Sequence, residues 1–368
     1  MSTIEQLFNL PQYSILNQDK IELLKDELNG LTKFHFENCL PYKNILHNLH
    51  VGEDLNFTAI ENIPYLPVRL FKTQKIQSIP DSEVLKFLTS SGTTNQQVSK
   101  IALNKETSIL QVKALASIIT SYIGSKRLPM IIIDTDATIK NKSSLSARGA
   151  GLVGLANFGR NHFFALDDNM NLKVNELKEF IKKNGDEPVL IFGFTFMVWQ
   201  YFYKTLDDLN YKPDLNNAIL IHSGGWKKLQ EQSVSNEIFR QELFNQFNIQ
   251  RVYNFYGMVE QVGSIFMECD MGYLHSPNFA EILIRDFNTW DTLPAGITGI
   301  IQTLSVLPKS YPGHSLLTED LGTIIGTNDC KCGRKGTYFI VNGRVPKAEL
   351  RGCSDTHAAF VLKEEGAI

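Results

Sequence analysis

Three short stretches, Met130–Ile133, Val189–Phe192 and Ala218–Ile221, contain no polar side chain at all. A strand with one wet face alternates apolar and polar residues. A wholly apolar run suits a strand covered on both faces, as in a parallel sheet between helices. Helical patterns lie beside these runs, at about 194–209 and 227–247. Another helix is expected from Asn104, a good N-cap, to about Tyr122, with Ile109, Leu110, Val112, Leu115, Ile118 and Ile119 on its apolar face. Strands alternating with helices imply parallel strands joined by crossover helices. Beyond Tyr256 the texture changes. Short strands such as 280–284 and 298–304 are separated by Gly, Pro and Asp turns, which suits an antiparallel subdomain. Upstream, residues 18–30 read as a short polar helix, and Pro64, Pro67 and Pro80 mark an irregular approach.

At 368 residues the chain exceeds one ordinary core, so a large α/β domain with a smaller part is expected. A net charge of -3 without basic or acidic blocks argues against a nucleic-acid or anionic-membrane partner. No stretch has the length of a membrane span, and the N-terminus does not read as a signal peptide. Five cysteines, an odd number, point to a reducing compartment, with the cytoplasm as the expected location.

Four sequence clusters carry chemistry. Ser90-Ser91-Gly92-Thr93-Thr94 is rich in hydroxyl donors around a glycine that lets backbone N–H groups approach an anion, which suits a polyphosphate. It is not a Walker A loop. Ser223-Gly224-Gly225 follows one strand and Tyr256-Gly257-Met258-Val259-Glu260 follows another, where α/β sheets place ligands. Thr318-Glu319-Asp320-Leu321-Gly322 precedes Gly343-Arg344. Singly each is weak: a Gly-Gly pair is usually a turn, and an Asp before Leu-Gly is usually a turn cap.

Taken in order, these clusters resemble the adenylate-forming enzymes, the superfamily of acyl-CoA synthetases and luciferases. The stretch Asn254–Gly272, NFYGMVEQVGSIFMECDMG, and Leu350-Arg351-Gly352-Cys353-Ser354-Asp355 resemble the acyl-protein synthetase (LuxE) family in particular, the ligases that join a long-chain fatty acid to a luciferin component. Cys330-Lys331-Cys332-Gly333-Arg334 is similar to the phenylacetate-CoA ligases. The resemblance implies a large adenylate-forming-type domain with parallel sheets flanked by helices, a smaller antiparallel β subdomain and a truncated C-terminal appendage. The divisions expected are 1–80, helical and irregular; 81–343, the ATP- and acyl-binding core; and 344–368, a tail carrying an acceptor cysteine.

The resemblance also implies roles. Ser90, Ser91, Thr93 and Thr94 would donate to the ATP phosphates beside Gly92. Glu260 would supply a hard oxygen to Mg²⁺. Tyr256 would face adenine, Asp320 the ribose hydroxyls, and Arg344 ribose or phosphate. Gly224, Gly225 and Gly257 complete the nucleotide set. Superfamily members usually carry a swivelling C-terminal domain with a catalytic lysine. Only about 24 residues follow Arg344, so that lysine and the CoA tunnel are expected to be missing. A protein thiol then becomes the expected acceptor, with an acyl reductase as the partner and a luminescence pathway as the best-known setting. Cys353 lies in a polar segment with Arg351 to favour the thiolate and His357 to act as base. Cys39 is the rival acceptor. A phenylacetate-type CoA ligase is the alternative reading, and a non-catalytic subunit of a ligase complex is another.

Two further patterns stay open. Gly149-Ala150-Gly151-Leu152-Val153-Gly154 fits GxGxxG, but it trails the Met130–Ile133 run by more than a dozen residues, whereas a dinucleotide fingerprint follows its strand at once. It would support a nicotinamide-linked reductase; close helix packing or a part of an acyl pocket is the other reading. The aromatic stretch Phe192, Phe194, Phe196, Trp199, Tyr201, Phe202, Tyr203 reads as core, some of which could line an acyl pocket. Cys269, His275, Cys330 and Cys332 are the right ligand types for a structural Zn²⁺, but their spacing is not that of a zinc finger. Two unrelated buried cysteines beside a polar CxC loop would explain them equally.

Overall fold

A computed structural model describes residues 2–52, 54–90, 98–140, 147–226 and 233–345. The chain divides into two compact units. Among the described residues, one takes in 2–90, 98–122 and 257–345, and the other takes in 123–256.

The first unit opens with helices Thr3–Asn9, Asn17–Asn38 and Leu40–Asn48. Ser2 and Glu5 form a reciprocal capping box on the first. The second runs on to Asn38, well past the expected end near residue 30. Leu24, Leu28, Leu31 and His35 continue one buried stripe at helical spacing, so packing carries the helix through its polar sequence. Strand β1 (Leu66–Pro67) follows, and then β2 (Lys86–Thr89) pairs antiparallel with β3 (Lys100–Leu103). The helix Lys105–Ile123 starts where expected: the Asn104 side chain accepts from Thr107 N at 2.9 Å. Its buried face is the expected one only at Ile118 and Ile119. Thr107, Gln111, Ala114, Ile118 and Ile119 are buried, while Ile109 and Val112 are 56% and 61% exposed. A Cβ on Gly263 would lie 2.7 Å from the Gln111 backbone, so this glycine (φ +93°) lets a neighbouring segment seat on the polar edge of the helix.

The second unit is a parallel sheet. β4 (Leu128–Ile133), β5 (Gly159–Phe164), β6 (Leu190–Phe194), β7 (Ile219–Ser223) and β8 (Arg251–Tyr256) pair in the order β5-β4-β6-β7-β8, every pair parallel. All residues of β4 and β6 are buried, as their apolar runs require. The helical segment 195–208 includes a π-helical turn over Val198–Lys204. Phe194, Phe196, Trp199 and Phe202 belong to one core cluster, with Tyr201 and Tyr203 packed against it. The helix expected over 227–247 is Asn236–Phe247 among the described residues; Ser235 caps it, its hydroxyl accepting from Ile238 N at 3.2 Å. Residues 227–232 lie outside the description. The Gly149–Gly154 motif lies inside the helix Ala147–Ala156 rather than at a strand-to-helix turn, so it lacks the backbone setting of a dinucleotide fingerprint. A Cβ on Gly151 would touch Phe194, consistent with packing.

The chain then returns to the first unit through β9 (Phe266–Glu268), β10 (Leu274–His275), β11 (Ala280–Arg285), β12 (Thr298–Ser305), β13 (Ser315–Thr327) and β14 (Thr337–Arg344). These pair antiparallel in the order β11-β12-β13-β14-β10-β9, with β1 parallel to β13. The mixed α/β architecture expected from the sequence is present. Among the described residues no helix is long and apolar enough to cross a membrane.

Candidate active site

In the antiparallel unit, Glu260 sits in a single 3₁₀ turn, Val259–Gln261. Its backbone is clamped on both sides. Tyr311 Oη donates to the Glu260 carbonyl at 2.8 Å, and Gln261 Nε2 donates to the Thr303 and Gly313 carbonyls at 3.2 and 2.8 Å. The residue is only 8% exposed. Burial pushes its carboxyl above the ordinary range; the Ser99 side chain and the Lys72 ammonium oppose that shift, and Glu319 adds to it. A desolvated carboxylate on a clamped turn, close enough to Glu319 to feel its charge, is a hard-oxygen donor that a divalent cation would stabilise in its charged form. The donor set therefore fits Mg²⁺.

Asp320 and Arg344, 24 residues apart in sequence, face each other directly in the β13–β14 register. Arg344 Nε donates to Asp320 Oδ1 at 3.1 Å, and the Asp320 backbone N donates to Thr318 Oγ1 at 3.1 Å. Val345 N donates to the Glu319 carbonyl at 3.0 Å. Arg69 grips the Glu319 carboxylate from beyond the end of β1, at 2.7 Å. Two charged groups thus form, Glu260 and Glu319 with Lys72 and Arg69, and Asp320 with Arg344, and they meet along the chain at Glu319-Asp320. Sequence reading missed Arg69, Lys72 and Glu319. The acidic pair Glu319-Asp320 was a usable signal; nothing in the sequence marks Arg69 or Lys72, some 250 residues upstream of Glu319.

Ser90 stands where β2 and β3 stop pairing. Its Oγ accepts from Ser99 N at 2.9 Å, which still leaves the hydroxyl hydrogen free to donate. Ser91, Gly92, Thr93 and Thr94 lie outside the described residues, as do Cys353 and His357. Cys39 is buried where two helices meet, and burial pushes its thiol up, a poor setting for a nucleophile.

In the parallel unit, Ser223 ends β7, and Gly224 and Gly225 follow it. Ser223 Oγ donates to the Phe255 carbonyl at 2.9 Å, and Thr195 Oγ1 donates to the Gly224 carbonyl at 2.5 Å. The Thr195 hydroxyl also meets His222 Nδ1 at 2.9 Å. Burial pulls His222 down to about 3, so its ring is neutral at ordinary pH. Tyr256, half-buried, ends β8, and Gly257 follows it.

Cys269, His275, Cys330 and Cys332 also converge, although two of the four are more than 50 residues from the others. Their ligand atoms all lie within 4.8 Å of one another.

The sequence profile described as "Acyl-protein synthetase, LuxE" matches residues 5–361. A long-chain-fatty-acid–luciferin-component ligase of Vibrio harveyi is 24% identical over 97% of this chain and 93% of its own length. The enzyme of the same name from Aliivibrio fischeri is 23% identical over 90% of this chain and 86% of its own length. Among solved structures, a 2-hydroxyisobutyryl-CoA ligase in an open conformation, in complex with 2-HIB-AMP and CoA, superposes with a TM-score of 0.69 at 14% identity, covering 92% of this chain and 78% of that one. The fold is thus shared with ligases of that type, and the chain belongs to the acyl-protein synthetase (LuxE) family.

Proposed function

We propose that this protein activates a long-chain fatty acid with ATP and passes the acyl group to its own Cys353. The observation that carries the reading is Glu260, a buried carboxylate with a raised pKa, rigidly clamped in the YGxxE segment of a LuxE-family chain. Mg²⁺ held there would neutralise charge as pyrophosphate leaves. Asp320 accepts from the ribose hydroxyls, and Arg344, beside it, holds ribose or phosphate. Ser90, Ser91, Thr93 and Thr94 donate to the triphosphate around Gly92. Tyr256 offers its ring to adenine, with Gly224, Gly225 and Gly257 leaving room for the nucleotide. These groups hold the fatty carboxylate in line with the α-phosphorus. A carboxylate oxygen attacks that phosphorus, and pyrophosphate departs. In the second half-reaction His357 takes the Cys353 proton, the thiolate attacks the acyl carbon, and AMP leaves with the acyl C–O bond. The resulting thioester is handed to an acyl reductase partner. Free thiols of this kind belong in a reducing compartment, the cytoplasm.

Two substitutions separate the half-reactions. Glu260→Gln is expected to cut fatty acid-dependent ATP–pyrophosphate exchange by about a hundredfold or more. Cys353→Ala should retain that exchange yet lose all hydroxylamine-labile labelling by radioactive fatty acid with ATP. Labelling that survives in Cys353→Ala would remove this cysteine from the scheme. Transfer of label to free CoA in place of protein would favour a CoA ligase.

A further inference from the structure

The turn after β9, the end of β10 and the turn between β13 and β14 place four ligands around one point, and we infer that Cys269, His275, Cys330 and Cys332 hold a single structural Zn²⁺. Cys269 Sγ and Cys330 Sγ are 3.9 Å apart, and Cys332 Sγ is 3.4 Å from His275 Nε2. A tetrahedral ion with Zn–S of about 2.3 Å and Zn–N of about 2.0 Å requires S···S separations of about 3.8 Å and S···N of about 3.5 Å. The observed spacings match those edges. They do not match a disulfide between Cys269 and Cys330, whose sulfurs would have to bond at about 2.05 Å.

The backbone prepares both halves. Cys269 and Tyr273 close a tight turn, with Cys269 N donating to the Tyr273 carbonyl at 2.8 Å and Gly272 N to the Cys269 carbonyl at 2.9 Å. In the facing turn, Gly333 N donates to the Cys330 carbonyl at 2.9 Å, and Gly333 takes φ +84°, which lets the chain curl round the two thiols. β10 pairs with both β9 and β14, so the sheet itself sets the two turns side by side. The imidazole of His275 is oriented by stacking on Tyr338, with ring centroids 5.5 Å apart, and by the edge of Tyr13 at 6.1 Å.

Four protein ligands close the coordination shell, which marks the site as structural rather than catalytic. Binding would release three thiol protons, form three Zn–S bonds and one Zn–N bond, and change no oxidation state. Three thiolates on Zn²⁺ leave one net negative charge. Arg334 lies beside Cys332 to offset it, and its guanidinium rests 4.3 Å above the Tyr122 ring. Little hydrocarbon fills this corner: besides Tyr338, its core cluster consists of Cys269 and Cys330, with Tyr273, Ile325 and Cys332 packed against them. The metal stands in for the missing core. It also fastens the N-terminal segment, because Lys335 N donates to the Tyr13 carbonyl at 2.8 Å and Asn17 N to Asn328 Oδ1 at 3.0 Å.

The test is elemental analysis of the full chain, expressed with zinc supplied and purified without chelator. One equivalent of zinc per chain is expected. Cys330→Ser and His275→Ala should lose it, while Cys39→Ser keeps it. X-ray absorption at the zinc edge of the unaltered protein should give three sulfur ligands near about 2.3 Å and one nitrogen near about 2.0 Å, a reading that does not depend on any variant folding. Zinc well below one equivalent, stoichiometric iron in its place, a Cys269–Cys330 disulfide in the peptide map, or full zinc retention by Cys330→Ser would each overturn the assignment.

Discussion

In the parallel unit every residue of β4 and β6 is buried, and those strands are almost wholly hydrocarbon. In the antiparallel unit β9, β10 and β11 are wholly buried, and β12 is buried beyond its first residue, but these strands bury Glu268, His275, Glu281, Arg285, Gln302 and Thr303. Each of these needs a partner, and several partners come from far along the chain. Lys20 meets Glu281 at 2.9 Å with both side chains 2% exposed. Arg285 donates to Gln302 Oε1 and to the Glu61 carbonyl. Asp134 and Arg148 form the corresponding buried pair in the parallel unit, and there the partners are only 14 residues apart. The difference teaches that one unit is specified by local apolar pattern and the other by long-range polar pairing. Nonpolar burial tolerates small errors of register, whereas an unmatched buried charge does not.

The largest expected effect comes from breaking a pair in the antiparallel unit. Glu281→Gln leaves the Lys20 ammonium buried without its counter-charge and should cost about 3–5 kcal/mol. Replacing Lys20 and Glu281 together by Met should recover much of that loss. Urea unfolding followed by far-ultraviolet dichroism measures both, and a loss below about 1 kcal/mol for the single variant would break the contrast.

Hydrocarbon deletion is the matching probe in the other unit. Leu220 is fully buried in the central strand β7, and Leu220→Ala should cost about 2–5 kcal/mol through the cavity it leaves. Trp199 and Trp226, packed in that unit's aromatic cluster, report its unfolding by fluorescence. A change within a few tenths of a kcal/mol would show that the apolar layer is loosely packed after all.

The effect that is smallest per group and per pH unit sharpens the comparison. Burial lowers His35 and His314 in the antiparallel unit and His222 in the parallel unit, with His314 and His222 at about 3. A histidine whose folded pKa is depressed contributes stability that is full above its unfolded value of about 6.5 and is lost as pH falls toward the folded value. Each should therefore cost about 1.4 kcal/mol per pH unit below that point. The antiparallel unit, with two such rings stacked 5.1 Å apart, should weaken more steeply than the parallel one. Unfolding midpoints from pH 7.5 to 5, read by hydrogen exchange in β11–β12 and in β6–β7, would test this. Equal slopes would contradict it.

Much of the parallel unit was legible in the residues themselves. Met130–Ile133, Val189–Phe192 and Ala218–Ile221 lie in or overlap β4, β6 and β7, and in the other unit Asn104 caps its helix as expected. Short-range hydrophobicity and capping chemistry suffice there, because the forces act between neighbours in sequence. The same helix shows where such reading stops: its buried face runs through Thr107, Gln111 and Ala114, and it took a glycine more than 150 residues away to choose it. The segment around Glu260 and the Asp320/Arg344 positions could be marked from motif order. Their electrostatic surroundings could not, because Lys72 and Arg69 reach Glu260 and Glu319 only through the β1–β13 pairing. The sequence by itself determined the alternation of strands and helices, the family, and which residue types could serve chemistry. Tertiary structure alone decided which charges face each other, which helix face is buried, and that four ligands from two distant segments meet at one point. Those outcomes depend on distances of a few ångströms between residues far apart in the chain, and no local pattern encodes such distances.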